Sequence, residues 1–233
     1  MKTTCSVTFP SAVTSGSFIV ISVSQSLIAY CTSTAITVKD LFNLNFAGGA
    51  GTCINGTSIG YTNVFWSTTG INGTGTETLT MTNGNDYYGH QAGMWAISAW
   101  EISATTLTEA YYNSGGNWNS CYKPLYGQGP CGTPTNPAIA SLPGTFSTSG
   151  SVLGLYVTTG LFTAVSGAPN PSCTTPNGLT KAVQVKNTVS GSNAISCIAY
   201  SATPSSTTPG IKLKDTMENC SFWEETADVF VAT

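Results

Sequence analysis

Short runs of apolar and β-branched residues, each closed by Gly, Pro, Asn or Ser, recur along the whole chain. That is the pattern of strands joined by turns. Ser17-Phe18-Ile19-Val20-Ile21-Ser22-Val23 predicts a strand buried on much of both faces, and Ala35–Val38 predicts another. Ile59–Ser67 alternates less cleanly but ends in Val64-Phe65-Trp66. Thr76–Thr82 alternates Thr with other residues, as a half-exposed strand does, and Asn83-Gly84 then supplies a turn signal. Gly93–Ile102 is long and aromatic, the mark of a central strand. A second set comprises Ser151–Thr158, Lys181–Lys186, Ala194–Ser201 and Thr226–Ala232. No stretch keeps a helical period for three turns, and Leu107–Tyr112 is expected to form one short helical turn. The chain is therefore expected to be all-β, an antiparallel β-sandwich. The strands of both sets are too apolar to stand alone, so one domain over residues 1–233 is expected.

Between the two sets lies a stretch, residues 111–148, rich in Gly, Pro, Asn and Tyr. A loop of that length is unusual unless it is functional or stapled. Cysteines offer the staples: Cys5, Cys31, Cys53, Cys121, Cys131, Cys173, Cys197 and Cys220. Their number is even, none forms a CxxC pair, and His90 is the one histidine, so zinc and haem spacings are missing. The expectation is a disulfide-stapled fold from an oxidising compartment. Cys121–Cys131 would close a local ring inside the long loop, and Cys31–Cys53 is a plausible second bridge. Cys5, Cys173, Cys197 and Cys220 would make the other two, with their pairing open.

Composition narrows the classes further. Seven lysines, no arginine and ten acids in 233 residues give a net charge of −3. Nucleic-acid binding needs a basic footprint to displace counterions, and none is present. Disorder needs low hydrophobicity with high charge, yet the chain is 41% hydrophobic and 7% charged. No apolar run approaches the roughly 18 residues of a membrane span. Met1-Lys2 is followed by polar Thr3-Thr4-Cys5 rather than an apolar leader core, which suits a removed leader or export inside a virion. Asn55, Asn72 and Asn219 begin Asn-x-Ser/Thr sequons and are candidate glycosylation sites.

Phe9-Pro10, Val13-Thr14-Ser15-Gly16-Ser17 with the strand that follows, Ile36-Thr37-Val38-Lys39-Asp40, Thr78-Leu79-Thr80-Met81-Thr82 and Ala96–Ser103 together form a pattern. It resembles a jelly-roll-like sandwich module of prokaryotic secreted, cell-surface and virus-associated proteins. The resemblance covers about residues 9–104. It departs at Asp40-Leu41-Phe42-Asn43, where Asn stands in place of the pattern's Gly; Asn also tolerates a left-handed backbone. The low-charge, Thr-rich, disulfide-bearing style is similar to subunits of archaeal extracellular filaments, the threads and bundling pili.

Candidate chemistry is sparse. Glu101 on its central strand reads as a strand-end acid that faces solvent or accepts a backbone hydrogen bond. A lone His90 without a Gly-x-Ser-x-Gly elbow argues against a serine triad. Asn83-Gly84-Asn85-Asp86 reads as a hairpin turn before it reads as a calcium loop. No enzyme, metal or cofactor is expected. Tyr111, Tyr112, Trp118, Tyr122 and Tyr126, interleaved with amides, suit packing on the sandwich, a protein interface or sugar rings.

The expected function is a structural subunit of an extracellular or cell-surface assembly, most simply a filament of copies of itself joined by β-strand donation. A virion surface protein and a carbohydrate-binding module are the alternatives, the latter with glycans as partners. Residues 1–16 are the expected donor segment. Cys5, Val7 and Phe9 line one face, Thr4, Ser6 and Thr8 the other. Pro10 should interrupt pairing, and Ser11–Gly16 should supply slack. The run Asp228–Ala232 is the rival donor, and residues 3–9 serving as the first strand of their own sandwich is the simpler alternative.

Overall fold

The computed structural model describes residues 4–26, 36–48, 60–83, 95–117, 139–140, 153–164, 171–175, 179–189, 192–204, 211–214 and 221–233. Among them every regular element is a strand. The first half supplies β1 (Thr4–Val13), β2 (Phe18–Ser26), β3 (Ile36–Lys39), β4 (Phe46–Gly48), β5 (Gly60–Ser67), β6 (Gly75–Asn83) and β7 (Trp95–Ile102). The second supplies β8 (Leu107–Asn117), β9 (Ile139–Ala140), β10 (Leu153–Ala164), β11 (Ser172–Thr174), β12 (Thr180–Val189), β13 (Ser192–Ser201), β14 (Ile211–Lys214) and β15 (Ser221–Ala232).

These strands form four antiparallel sheets, ordered β1-β6-β3, β4-β5-β2-β7, β12-β13-β10-β15-β8 and β11-β14-β9. Side-chain alternation stacks them in that sequence. On β2, Ile19, Ile21 and Val23 join Leu79 and Met81 of β6 and Ile36 of β3 in one cluster. The other face of the same sheet gives Val20, Val64 and Ile102 to a cluster with Leu155, Val157, Ile198 and Phe230. Beyond that, Tyr156, Ile195, Cys197, Ala199 and Val229 turn outward to meet Leu213 of β14 and Cys173 of β11. The result is two sandwiches back to back, sharing a hydrophobic cluster drawn from both halves of the chain.

The all-β antiparallel fold agrees with the strand pattern of the sequence. Leu107–Tyr112 does not form a helical turn: it opens β8, whose ladder runs from Leu107 opposite Ala232 to Asn117 opposite Trp223. An apolar stretch too short to set its own period takes the structure of the neighbour that pairs with it. Part of the expected long loop is accordingly strand, namely the rest of β8 and the two residues of β9. Cys173 and Cys197 form a disulfide between β11 and β13, with Cα atoms 6.4 Å apart, which settles one pair among the four cysteines left open. It rivets the outermost sheet to the one beneath and, across 24 residues, contributes roughly 3 kcal/mol. Cys31, Cys53, Cys121, Cys131 and Cys220 lie outside the described residues.

The contact between the two sandwiches is apolar at one end and polar at the other. Trp66 meets Phe230 at a tilt of 58°, with ring centroids 5.2 Å apart, and Trp100 meets Tyr200 edge-on at 5.3 Å. At the polar end small hydroxyls pair across the seam. Ser196 donates to Ser22 Oγ at 2.7 Å and also meets Ser98 Oγ. Thr62 and Thr226 meet at 2.8 Å, and Ser24 donates to the Gly160 carbonyl at 2.6 Å. All of these side chains are buried. A buried hydroxyl without a partner costs more than its hydrogen bond returns, so the group works only as a set. We predict that Ser196→Ala alone lowers stability by about 1–3 kcal/mol, because Ser22 and Ser98 lose their partner. Replacing Ser22, Ser98 and Ser196 together by Ala should cost less than that single change. Denaturant unfolding of the two variants checks the order.

Candidate functional site

Alternation along β1 sorts its residues onto two faces, as its sequence pattern requires. Cys5, Val7 and Phe9 are half-buried and pack on the cluster that contains Leu79, Met81, Trp95 and Ile97. Opposite each other across the β1–β6 ladder stand Cys5 and Met81, and Val7 and Leu79. On the exposed face Ser6 meets Thr80 at 3.0 Å and Thr8 meets Thr78 at 2.9 Å. The strand thus lies in a groove of its own chain, zipped by hydroxyls outside and by apolar side chains inside.

Among the described residues β1 is an edge strand, and β6 is its one ladder partner. Register shifts between Thr8 and Ala12, around Pro10, which has no amide hydrogen to give to the ladder. The segment after it is not slack. Pairing resumes at Ala12 and Val13, and the chain then turns tightly over Thr14–Ser17. Gly16 sits in that turn at φ 90°, the left-handed region that excludes most side chains. Its amide donates to Ile71 O at 2.7 Å, and Ile71 N donates to Ser17 O at 2.7 Å. Gly70 lies so close that a Cβ there would come within 2.7 Å of the Gly16 carbonyl. Across the sheets, Glu101 Oε1 accepts the Thr14 amide at 2.6 Å. Glu101 therefore does the work of a backbone acceptor, one of the two roles its strand-end position suggested. It holds the far end of β1 in place.

A second turn supports the same groove. Asp40 Oδ1 accepts the amides of Phe42 at 2.8 Å and Leu44 at 3.1 Å, and Asn43 adopts φ 54°. Asn is the residue other than Gly that best tolerates this left-handed step. Glu77, buried on β6, accepts the Leu41 amide at 3.0 Å. Burial pushes its carboxyl above the usual range, and the nearby Asp40 charge adds to the rise; bonds from the Leu41 and Thr78 amides oppose it.

The remaining candidates fall as follows. Asn72 is exposed in a bend, and its amide reaches the Phe42 carbonyl at 3.5 Å, so its sequon is accessible. Asn55 and Asn219 lie outside the described residues, as do His90, Asp86, Trp118, Tyr122 and Tyr126. Tyr111 and Tyr112 belong to β8, opposite Val229 and Asp228. The rival donor run Asp228–Ala232 is part of β15, paired on both sides by β10 and β8. No group of three or more potential metal ligands occurs among the described residues. No helix among them is long and apolar enough to cross a membrane. No protein-family model, curated protein or solved structure matches the chain.

Removal of the Glu101 acceptor should loosen β1 at its anchored end. We predict that Glu101→Ala costs about 1–2 kcal/mol and speeds amide hydrogen exchange at Val13 and Thr14 more than at β2. Equal protection of those amides in the variant and the native protein would show that the clamp is inert.

Proposed function

We propose that the protein is a structural subunit of an extracellular assembly, joined by donation of β1 from one copy to the next. One observation carries the reading. Among the described edge strands of eight or more residues, β7 carries Glu101, β8 carries Glu109 and β12 carries Lys181 and Lys186. β1 carries no charge from Thr4 to Val13. Charges on an edge discourage pairing with another chain, and β1 lacks that protection. Its apolar row fills a groove, a single ladder retains it, and the clamp at Thr14–Ser17 marks where an exchanged segment would part from its own domain. A strand of this kind can leave its own groove and enter an identical one with every contact preserved.

The Cys173–Cys197 disulfide supports an oxidising location outside the cytosol. Low net charge supports close approach of copies, because little repulsion keeps them apart. A shell of a virion would use the same strand and groove.

Deletion of residues 1–12 tests the reading. The truncated chain should fold with a vacant groove, fail to polymerise, and bind a synthetic peptide of residues 1–13 in a fluorescence anisotropy titration. The native chain should form ordered assemblies in electron micrographs. Assemblies of normal form from the truncated chain, or a native chain that stays monomeric at every concentration, would overturn it.

A further inference from the structure

Along β15 the residues facing the N-terminal sandwich are Thr226, Asp228 and Phe230. Thr226 meets Thr62 and Phe230 meets Trp66, which sets Asp228 level with Val64 between them. Asp228 has no exposed surface, and no donor among the described residues reaches either of its carboxyl oxygens. From β5 it is faced by Thr62, Val64 and Trp66, and from β10 by Leu155, Val157 and Thr159, none of them charged. From β8 comes Glu109, half-buried, beside the register shift at Val229/Phe230; Tyr112 is the register partner of Asp228 on that strand. Glu109 is thus the charged group that acts on Asp228.

A carboxyl in such a place has one economical state. Two carboxylates side by side repel each other, and neither finds a cation among the described residues, whereas one proton between them supplies the missing hydrogen bond. Burial first, then the hydrogen bond and charge of Glu109, push the Asp228 carboxyl up to about 9. We propose that Asp228 and Glu109 form a proton-operated clasp on the seam between the two sandwiches, closed while they share a proton and opened when it leaves. The proton passes to solvent, and the charge left behind must be hydrated. β8, an edge strand with an irregular ladder at that point, is the element that gives way.

The sign follows from linkage. The folded chain holds this proton more tightly than the unfolded chain, whose Asp titrates near ~3.9. The stabilisation is complete below that pH and is lost as pH rises through about 9. The clasp therefore favours an acidic medium, whether or not β1 is exchanged.

Thermal unfolding of the full chain from pH 4 to 9 is the test, with Asp228→Asn and Glu109→Gln beside the native protein. Relative to Asp228→Asn, the native Tm should fall by roughly 5–10 °C between pH 6 and 9. Glu109→Gln should shrink that fall, and native β8 amides should exchange faster at pH 9 beyond the intrinsic pH effect. Should Asp228→Asn not fold, the Asp228 carboxyl resonance of the native chain decides the matter. A protonated carboxyl at pH 7 supports the clasp. An ionised one, or a Tm profile of Asp228→Asn parallel to the native profile, overturns it.

Discussion

The inner strands of the two central sheets, β2, β10, β13 and β15, have no face left for water, and most other properties of the chain follow from that. Each must be apolar, or polar in matched pairs, on both sides. Ile19 and Val20, Cys197 and Ile198, and Val229 and Phe230 are neighbours that point in opposite directions, and all are buried. Charge has almost no place in such a stack, which is why 17 charged residues suffice for 233. Small hydroxyls replace it. A Ser or Thr is narrow enough to sit between sheets and can meet a copy of itself across the gap, since a hydroxyl both donates and accepts.

The same constraint decides what can be read in the sequence. Ten of the strands follow from apolar runs or alternation, including β1, whose faces are written plainly in Cys5, Val7, Phe9 against Thr4, Ser6, Thr8. β4, β9, β11 and β14 do not, because two to four residues carry no period; they exist through their ladder partners. β8 was disguised for a related reason. Its pairing with β15 imposes a conformation that its own residues do not announce. The order of the sheets is likewise invisible locally, since any apolar face can cover any other. Asp228 carried a legible signal: an acid set inside Ala227 to Ala232, where every neighbour is apolar. What gives it meaning, Glu109 on the adjacent strand, lies 119 residues away in sequence (228 less 109).

The outer layers are different in kind. The β1-β6-β3 sheet shows a row of Ser and Thr to solvent; hydroxyls of β1 and β6 bond to each other, and Thr37 of β3 donates to the Thr82 carbonyl. Such a face is polar with a single described charge, Lys39 beside Thr80, so it wets with little repulsion of its like. At the opposite end of the stack, the short strands β9, β11 and β14 cover the second sandwich and rely on a disulfide for attachment. One outer layer is thus held by packing and strand pairing, and the other also by a covalent bond.

The hydroxyl seam between the sandwiches also fixes alignment. A purely aliphatic contact would tolerate slippage, since Val against Ile is worth much the same in any register. A slide of one sheet by two residues, about 6.7 Å, would bring Ser196 against the aliphatic row and strand the Ser22 and Ser98 hydroxyls. The polar pairs thus act as the teeth of a gauge: they add little to the strength of the joint, but they leave it one place to close.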